Sequence, residues 1–275
     1  MNKLKNYIAG QWIEGNGEGI PLYNAVNGEL VAISDTAGLN FEEALDYGRT
    51  IGYKNLSSMT FYDRGQMLKK VALYLLERKK KYYELSYKTG ATHVDSWVDI
   101  EGGFGTFFTY SGLAKRMLPN TPFWVDGDTQ KISANGTFLG THILTPSEGV
   151  SVQINAYNFP VWGMLENLST SLLAGVPAVV KPSPFGSYLT YEVFKDMIES
   201  GYLPQGAIQL VCGDPGNILD YVQDGDSVLF TGSANTGRKL KSLPSVAGNA
   251  VRFNMEADSL NCSILGLDAK PGTPE

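Results

Sequence analysis

Over the first 40 positions, apolar residues come in short runs broken by glycine. Ile8-Ala-Gly-Gln-Trp-Ile-Glu-Gly predicts a short strand, a turn and a second strand, and Asn24 to Ile33, with Gly28, predicts another hairpin. The period then lengthens. Phe41 to Ile51 has helical spacing, with Ala44 and Leu45 on one face and Asn40 placed to cap it. Phe61 to Lys88 is the clearest helical stretch, with Met67, Val71, Leu73, Leu75 and Leu76 as apolar positions. Its basic run, Arg78-Lys-Lys-Lys81, suits a solvated helix face or a helix C-terminus, and could otherwise attract an anion. Val94 to Leu118 predicts a further helix, interrupted or closely packed at Gly102, Gly103 and Gly105; Phe104, Phe107, Phe108 and Tyr110 read as core. Pro119 to Asp128 reads as a loop, and Lys131 to Ser147 as two strands around the tight-hairpin dipeptide Asn135-Gly136.

From Gly149 the rhythm changes to strands alternating with helices. The strands fall at Val150 to Ile154, Ala178 to Lys181, Ala207 to Cys212, Ser227 to Phe230 and Ala250 to Met255. The helices fall at Pro160 to Leu173, Tyr188 to Glu199, Asn217 to Gln223 and Asn235 to Ser242. That alternation predicts an α/β fold with right-handed crossovers and a parallel sheet flanked by helices, binding ligands at the carboxyl ends of its strands.

Composition narrows the function classes. The 275 residues are 43% hydrophobic and 18% charged, which are globular values, and can hold one large domain or two ordinary ones. A formal net charge of −6 disfavours a nucleic-acid partner. Two cysteines, Cys212 and Cys262, lie far apart, and two histidines, His93 and His142, form no cluster; neither a disulfide framework nor a metal site is expected. The first residues lack a signal-peptide pattern, and no run approaches the ~20 apolar residues that span a bilayer, so a soluble cytoplasmic protein without membrane partners is expected.

Four stretches at predicted strand ends could carry chemistry. Lys181, after a buried strand, could direct its ammonium at ribose hydroxyls or phosphate, or simply leave the sheet for solvent. Gly232-Ser233-Ala-Asn-Thr-Gly237 joins a strand to a helix; the helix N-terminus could hold a pyrophosphate, or the segment is an ordinary tight turn. It is not a Gly-x-Gly-x-x-Gly fingerprint. Asn158, in Tyr157-Asn158-Phe159-Pro160, could donate to a developing oxyanion or cap a helix. Glu256, at the end of an apolar strand, could be a general base with its pKa raised by desolvation, or face solvent. Cys262 and Cys212 read as structural and not as nucleophiles.

Together these stretches resemble the cofactor-binding half of the aldehyde dehydrogenase superfamily. Thr89-Gly-Ala-Thr, Asp95-Ser-Trp-Val-Asp-Ile-Glu-Gly-Gly103, the segment from Ile154 to Glu166, and Met255-Glu-Ala-Asp-Ser-Leu-Asn-Cys262 are similar to one subgroup, the aldehyde dehydrogenase domains of bifunctional ring-opening enzymes of phenylacetate degradation. The resemblance implies a Rossmann-like cofactor-binding domain over 1–129 and 148–260. It implies an oligomerisation hairpin over 130–147, and a connection to a catalytic domain from 261. It implies oxidation of an aldehyde to an acid, in the subgroup a CoA-linked semialdehyde, by a parent that forms homo-oligomers. Asn158 would hold the oxyanion and Glu256 would activate water. Lys181 would hold the adenosine ribose, with Pro182 and Ser183 beside it. Ser233, Gly232 and Gly237 would hold the pyrophosphate after Phe230 and Thr231, and Phe159 and Pro160 would floor the nicotinamide.

Two positions depart from the superfamily. The glutamate expected three positions after the lysine is Pro184, which removes repulsion against a 2′-phosphate; NADP is therefore expected, with NAD the alternative. Glu-Leu-Gly-Gly is replaced by Glu256-Ala-Asp-Ser, as in the subgroup. The family's nucleophilic cysteine lies on the following domain, beyond residue 275, so the 275-residue chain alone is expected not to turn over aldehyde. The alternatives are an inactive nucleotide-binding fragment and an acylating dehydrogenase that releases acyl-CoA.

Overall fold

In the computed structural model, residues 3–259, 264–268 and 270–272 are described. The N-terminal part carries β1 (Asn6–Ile8), β2 (Gln11–Ile13), β3 (Ile20–Tyr23) and β4 (Leu30–Ser34). Helices follow: α1 (Phe41–Tyr47), α2 (Tyr53–Ser57), α3 (Phe61–Leu76), α4 (Lys79–Tyr87) and α5 (His93–Met117). A hairpin, β5 (Trp124–Lys131) and β6 (Leu139–Leu144), precedes the alternating part: β7 (Ser151–Ile154), α6 (Trp162–Ala174), β8 (Ala178–Lys181), α7 (Ser187–Glu199) and β9 (Ile208–Leu210). After a single tight turn at Ile218–Tyr221 come β10 (Ser227–Gly232), α8 (Ala234–Lys241), α9 (Pro244–Gly248) and β11 (Arg252–Ala257).

The main sheet has seven strands in the order β11-β10-β7-β8-β9-β1-β2. Its first five strands are parallel, as the alternation predicts. The sheet is nevertheless mixed. The N-terminal hairpin adds to its edge antiparallel, with Tyr7 opposite Leu210. Each face is covered by helices, so β8 (Ala-Val-Val-Lys) is buried throughout and needs no polar alternation. Ala178 and Val180 join the core built with α3, α5, α6 and α7, whereas Val179 joins Val152, Ile154 and Val228 in a second core under α1 and α9. A buried ion pair ties these layers together. Arg49, in the widened helical turn after α1, donates to Asp226 at 2.6 and 3.2 Å, and Asp226 also accepts from the Val150 and Gln223 backbones, both at 2.8 Å.

Several expectations need correction. The hairpin around Gly28 begins at Ile20, ahead of Asn24. The stretch from Phe61 to Lys88 is two helices, because Arg78 leaves helical geometry (φ −105°, ψ 1°). The basic run therefore opens α4, where cations oppose the macrodipole. Carboxylates on neighbouring helices offset this: Lys79 pairs with Glu101 at 3.0 Å and Lys81 with Asp196 at 2.7 Å, while Arg78 stacks 3.5 Å from the Tyr74 ring centroid. Arg78 itself still serves the C-terminus of α3, donating to the Tyr74 carbonyl at 2.9 Å, whereas Lys79 to Lys81 lie in the first turn of α4. The segment read as a loop from Pro119 is a strand from Trp124 onward, imposed by pairing with β6 despite its Asp and Gly residues. Asn135-Gly136 then sits within a longer loop, 132–138. Asn40 does cap α1, accepting from Glu43 N at 3.1 Å.

Candidate active site

β7, β8, β10 and β11 end along one edge of the sheet, and Lys181, Asn158, Ser233 and Glu256 lie at or just beyond those ends. Two adjoining cavities open there. The smaller, about 320 Å³, is walled by Val98, Phe159, Trp162 and Gly163 and carries Asn155, Asn158, Glu166, Asn167, Thr231 and Glu256. The larger, about 650 Å³, is a groove from Lys181 and Ser183 across Phe230–Ser233 to Thr236 and Asp258. Asn155, Ala156, Asn158, Thr231 and Glu256 line both. Thr231 and Glu256 are register partners on β10 and β11, so the sheet itself sets their spacing.

Asn158 stands on the turn between β7 and α6, exposed and without a hydrogen bond among the described residues. It does not cap the helix. Asp99 on α5 does, accepting from Trp162 N at 2.8 Å and from Val161 N at 3.1 Å. Burial pushes the Asp99 carboxyl up to about 7 even though those two backbone N–H groups draw it down. α5 can approach this closely because it carries glycine: a Cβ at Gly102 would lie 2.4 Å from the Trp162 ring. Asp99 and Gly102 thus fix the start of α6 and leave the Asn158 amide to the cavity.

Lys181 is 7% exposed, and its ammonium has no hydrogen bond or ion pair among the described residues. Burial lowers its pKa, with Asp214 the main opposing influence. A buried ammonium without an acceptor suits a ligand that brings oxygen atoms. Ser233 caps α8, accepting from Thr236 N at 3.3 Å. The sequence reading leaves the first N–H groups of α8 free. The structure instead gives the Ala234 N–H to the Asp258 carboxylate at 3.0 Å.

The remaining expected residues divide. Ser183, Phe230, Thr231 and Gly232 line the groove, and Phe159 lines the smaller cavity. Pro182 is buried and lines neither cavity. Gly237 is a packing position, since a Cβ there would meet the Met255 sulfur at 2.3 Å. Pro160 lines neither cavity; its carbonyl accepts from Thr190 Oγ1 at 3.3 Å. Glu256 reaches both cavities yet stays exposed, because the described residues do not wall its outer side; the sheltering expected for a desolvated base is missing here. Cys212 is buried, and burial pushes its thiol pKa up, away from reactivity. Cys262 lies outside the described residues.

Sequence reading gave no role to Asp99, Asn155, Glu166 or Asp258. Glu166 carried a usable signal: it sits four residues after Trp162, one helical turn along the cavity face of α6. Its carboxyl pKa is raised by partial burial and then by Glu256, so the two carboxylates share one space. Asn155 is buried, its Oδ1 held by Asn167 Nδ2 at 3.1 Å and its own Nδ2 without a partner among the described residues. Among the described residues no group of His, Cys, Asp and Glu could hold a metal ion, and no helix is long and apolar enough to cross a membrane.

Comparison with known proteins agrees with this geometry. The model of the aldehyde dehydrogenase family matches residues 12–270. The chain is 40% identical over 274 residues to 3,4-dehydroadipyl-CoA semialdehyde dehydrogenase of Aromatoleum evansii, covering 99% of this chain and 53% of that protein. It is 29% identical to betaine aldehyde dehydrogenase of Bacillus subtilis, covering 96% and 52%. The chain thus spans about half the length of the curated relatives it matches. Among solved structures, 3,6-anhydro-L-galactose dehydrogenase in complex with NAP superposes with a TM-score of 0.81 at 25% identity, covering 93% of this chain and 52% of that one. Betaine aldehyde dehydrogenase from Staphylococcus aureus in complex with NAD+ gives 0.78 at 25% identity, covering 93% and 50%. The family match along nearly the whole chain, together with 40% identity to a relative over 274 residues, makes this chain a member of the aldehyde dehydrogenase family.

Proposed function

We propose that this chain supplies the cofactor-binding and water-activating half of an NAD(P)-dependent dehydrogenase that oxidises a CoA-linked semialdehyde to the acid. The observation that carries this reading is the shared wall: Asn158, Thr231 and Glu256 border both the groove and the smaller cavity. A carbonyl held there lies within reach of a donor and of a base, beside a groove suited to a dinucleotide. Lys181 would hold ribose hydroxyls, and Ser233 with the α8 terminus would hold phosphate oxygens. A bound nicotinamide supplies hydride acceptance. The chain's own residues do the rest. Asn158 would donate to the oxyanion, and Glu256 would take a proton from the water that attacks the acyl intermediate. The cysteine for that acyl intermediate would come from a following domain, which would also close the open side of Glu256. The exposed β5–β6 hairpin would join a neighbouring subunit.

NADP is the proposed cofactor, because Pro184 places no carboxylate near a 2′-phosphate. The relative's name supports the CoA-linked substrate. A full-length enzyme supplied with a CoA-linked semialdehyde tests the reading. The expected product is the free acid even when CoA is added, and Pro184→Glu should shift preference from NADP toward NAD. Acyl-CoA as the main product would replace the hydrolytic reading with an acylating one, and an unchanged cofactor ratio would remove the role of Pro184.

A further inference from the structure

The N-terminus of α8 already has an anion on it. Asp258 follows β11 and turns back through a left-handed backbone, φ +59°, a conformation that glycine adopts freely and aspartate tolerates. Its own N–H donates to Gly232 O at 3.3 Å, which locks the turn beside the β10–α8 junction. Its carboxylate then accepts from Ala234 N at 3.0 Å. Asp258 lines the groove together with Gly232, Ser233 and Thr236 and is exposed there. The Thr236 N–H is held by Ser233 and the Gly237 N–H by the Ser233 carbonyl. The Asn235 N–H is without a partner among the described residues, so a pyrophosphate drawn to this terminus meets a unit negative charge on the adjacent Ala234 N–H.

We propose that Asp258 is a competitor for the phosphate end of the dinucleotide, built into the cofactor groove. This rests on the functional reading above. The carboxylate stands in for a phosphate oxygen at Ala234 N, and binding requires it to rotate away. Because the side chain is exposed, the swing opens into solvent and needs no repacking. The cost is the charge-assisted bond at the helix terminus, together with repulsion between the displaced carboxylate and the incoming phosphates. Asp258 thereby weakens the hold on the cofactor, and it does so only for ligands that carry phosphate.

The test uses the 275-residue chain and two ligands. NADP carries the pyrophosphate; adenosine carries the ribose that Lys181 would hold, without phosphate. Calorimetric Kd values are compared for wild type, Asp258→Asn and Asp258→Gly. Glycine suits the positive φ, and asparagine keeps a side-chain acceptor without the charge. Both variants should bind NADP about tenfold tighter while adenosine affinity moves less than twofold. Unchanged or weaker NADP binding in both variants, with wild type binding normally, overturns the competitor role and leaves the proposed function standing. Equal tightening of adenosine also overturns it. Absence of NADP binding to all three proteins overturns this role and the cofactor-groove reading together.

Discussion

Replacing Asp99 by asparagine should make the chain's pH–stability curve flatter, and the sign follows from burial. The Asp99 carboxyl is 5% exposed and its pKa is raised from an ordinary 3.8 to about 7. Between those values the folded state holds a proton that the unfolded chain releases, so wild-type stability falls as pH rises through the window. Each unit of difference corresponds to about 1.4 kcal/mol, so about three units give an effect on the order of 4 kcal/mol. Asparagine cannot ionise, yet it keeps a carbonyl for the Trp162 or Val161 N–H. Urea melts of both proteins at steps from pH 4 to pH 8.5 provide the comparison. Taking the difference between the proteins cancels carboxylates common to both, including Glu166. The wild type should lose ground to Asp99→Asn between about pH 4 and pH 7, and the difference should then level off. Parallel curves, or a wild type that gains on the variant as pH rises, would refute the burial argument. The latter result would mean that the two helix-terminal N–H groups outweigh burial.

Two further outcomes follow from buried charges. Lys181→Met should raise the urea midpoint of the ligand-free chain by an amount worth about 1 kcal/mol, because burial disfavours the ammonium, and should weaken NADP binding about tenfold. Its stability advantage should shrink as pH rises toward the ordinary lysine value of 10.5. Asp226→Ala should cost about 3–5 kcal/mol in the same melts, since it strands two buried backbone N–H groups and takes from Arg49 its buried carboxylate, leaving it Asp46 and the Tyr221 carbonyl.

The parallel half of the fold was readable because each of its strands is a short apolar run and each helix has its own period. Ala178–Lys181 is the clearest case, with nothing polar before the lysine. The antiparallel parts were harder. Asp126 looks like a loop residue yet pairs with His142 on β6, while Gly127 and Asp128 fall in the irregularity of the ladder between Asp126 and Gln130. The place of β1 beside β9 depends on Leu210, about 200 residues away, and no local signal carries that. The site divides the same way. Lys181, Ser233, Asn158 and Glu256 announce themselves by standing at strand ends. Asp99 lies mid-helix among apolar residues, and its role depends on a helix 62 residues later in the chain. The role of Asp258 likewise depends on a partner elsewhere in the chain, the Ala234 N–H, 24 residues earlier.

The most direct test of the half-site is an NMR titration of the isotopically labelled 275-residue chain with NADP. Saturable amide shifts should concentrate at 155–159, Lys181, Ser183, 231–236 and 256–258. A saturable titration with shifts centred elsewhere, on the β5–β6 hairpin for instance, or no shifts at all, would contradict the claim that the strand ends form the cofactor groove.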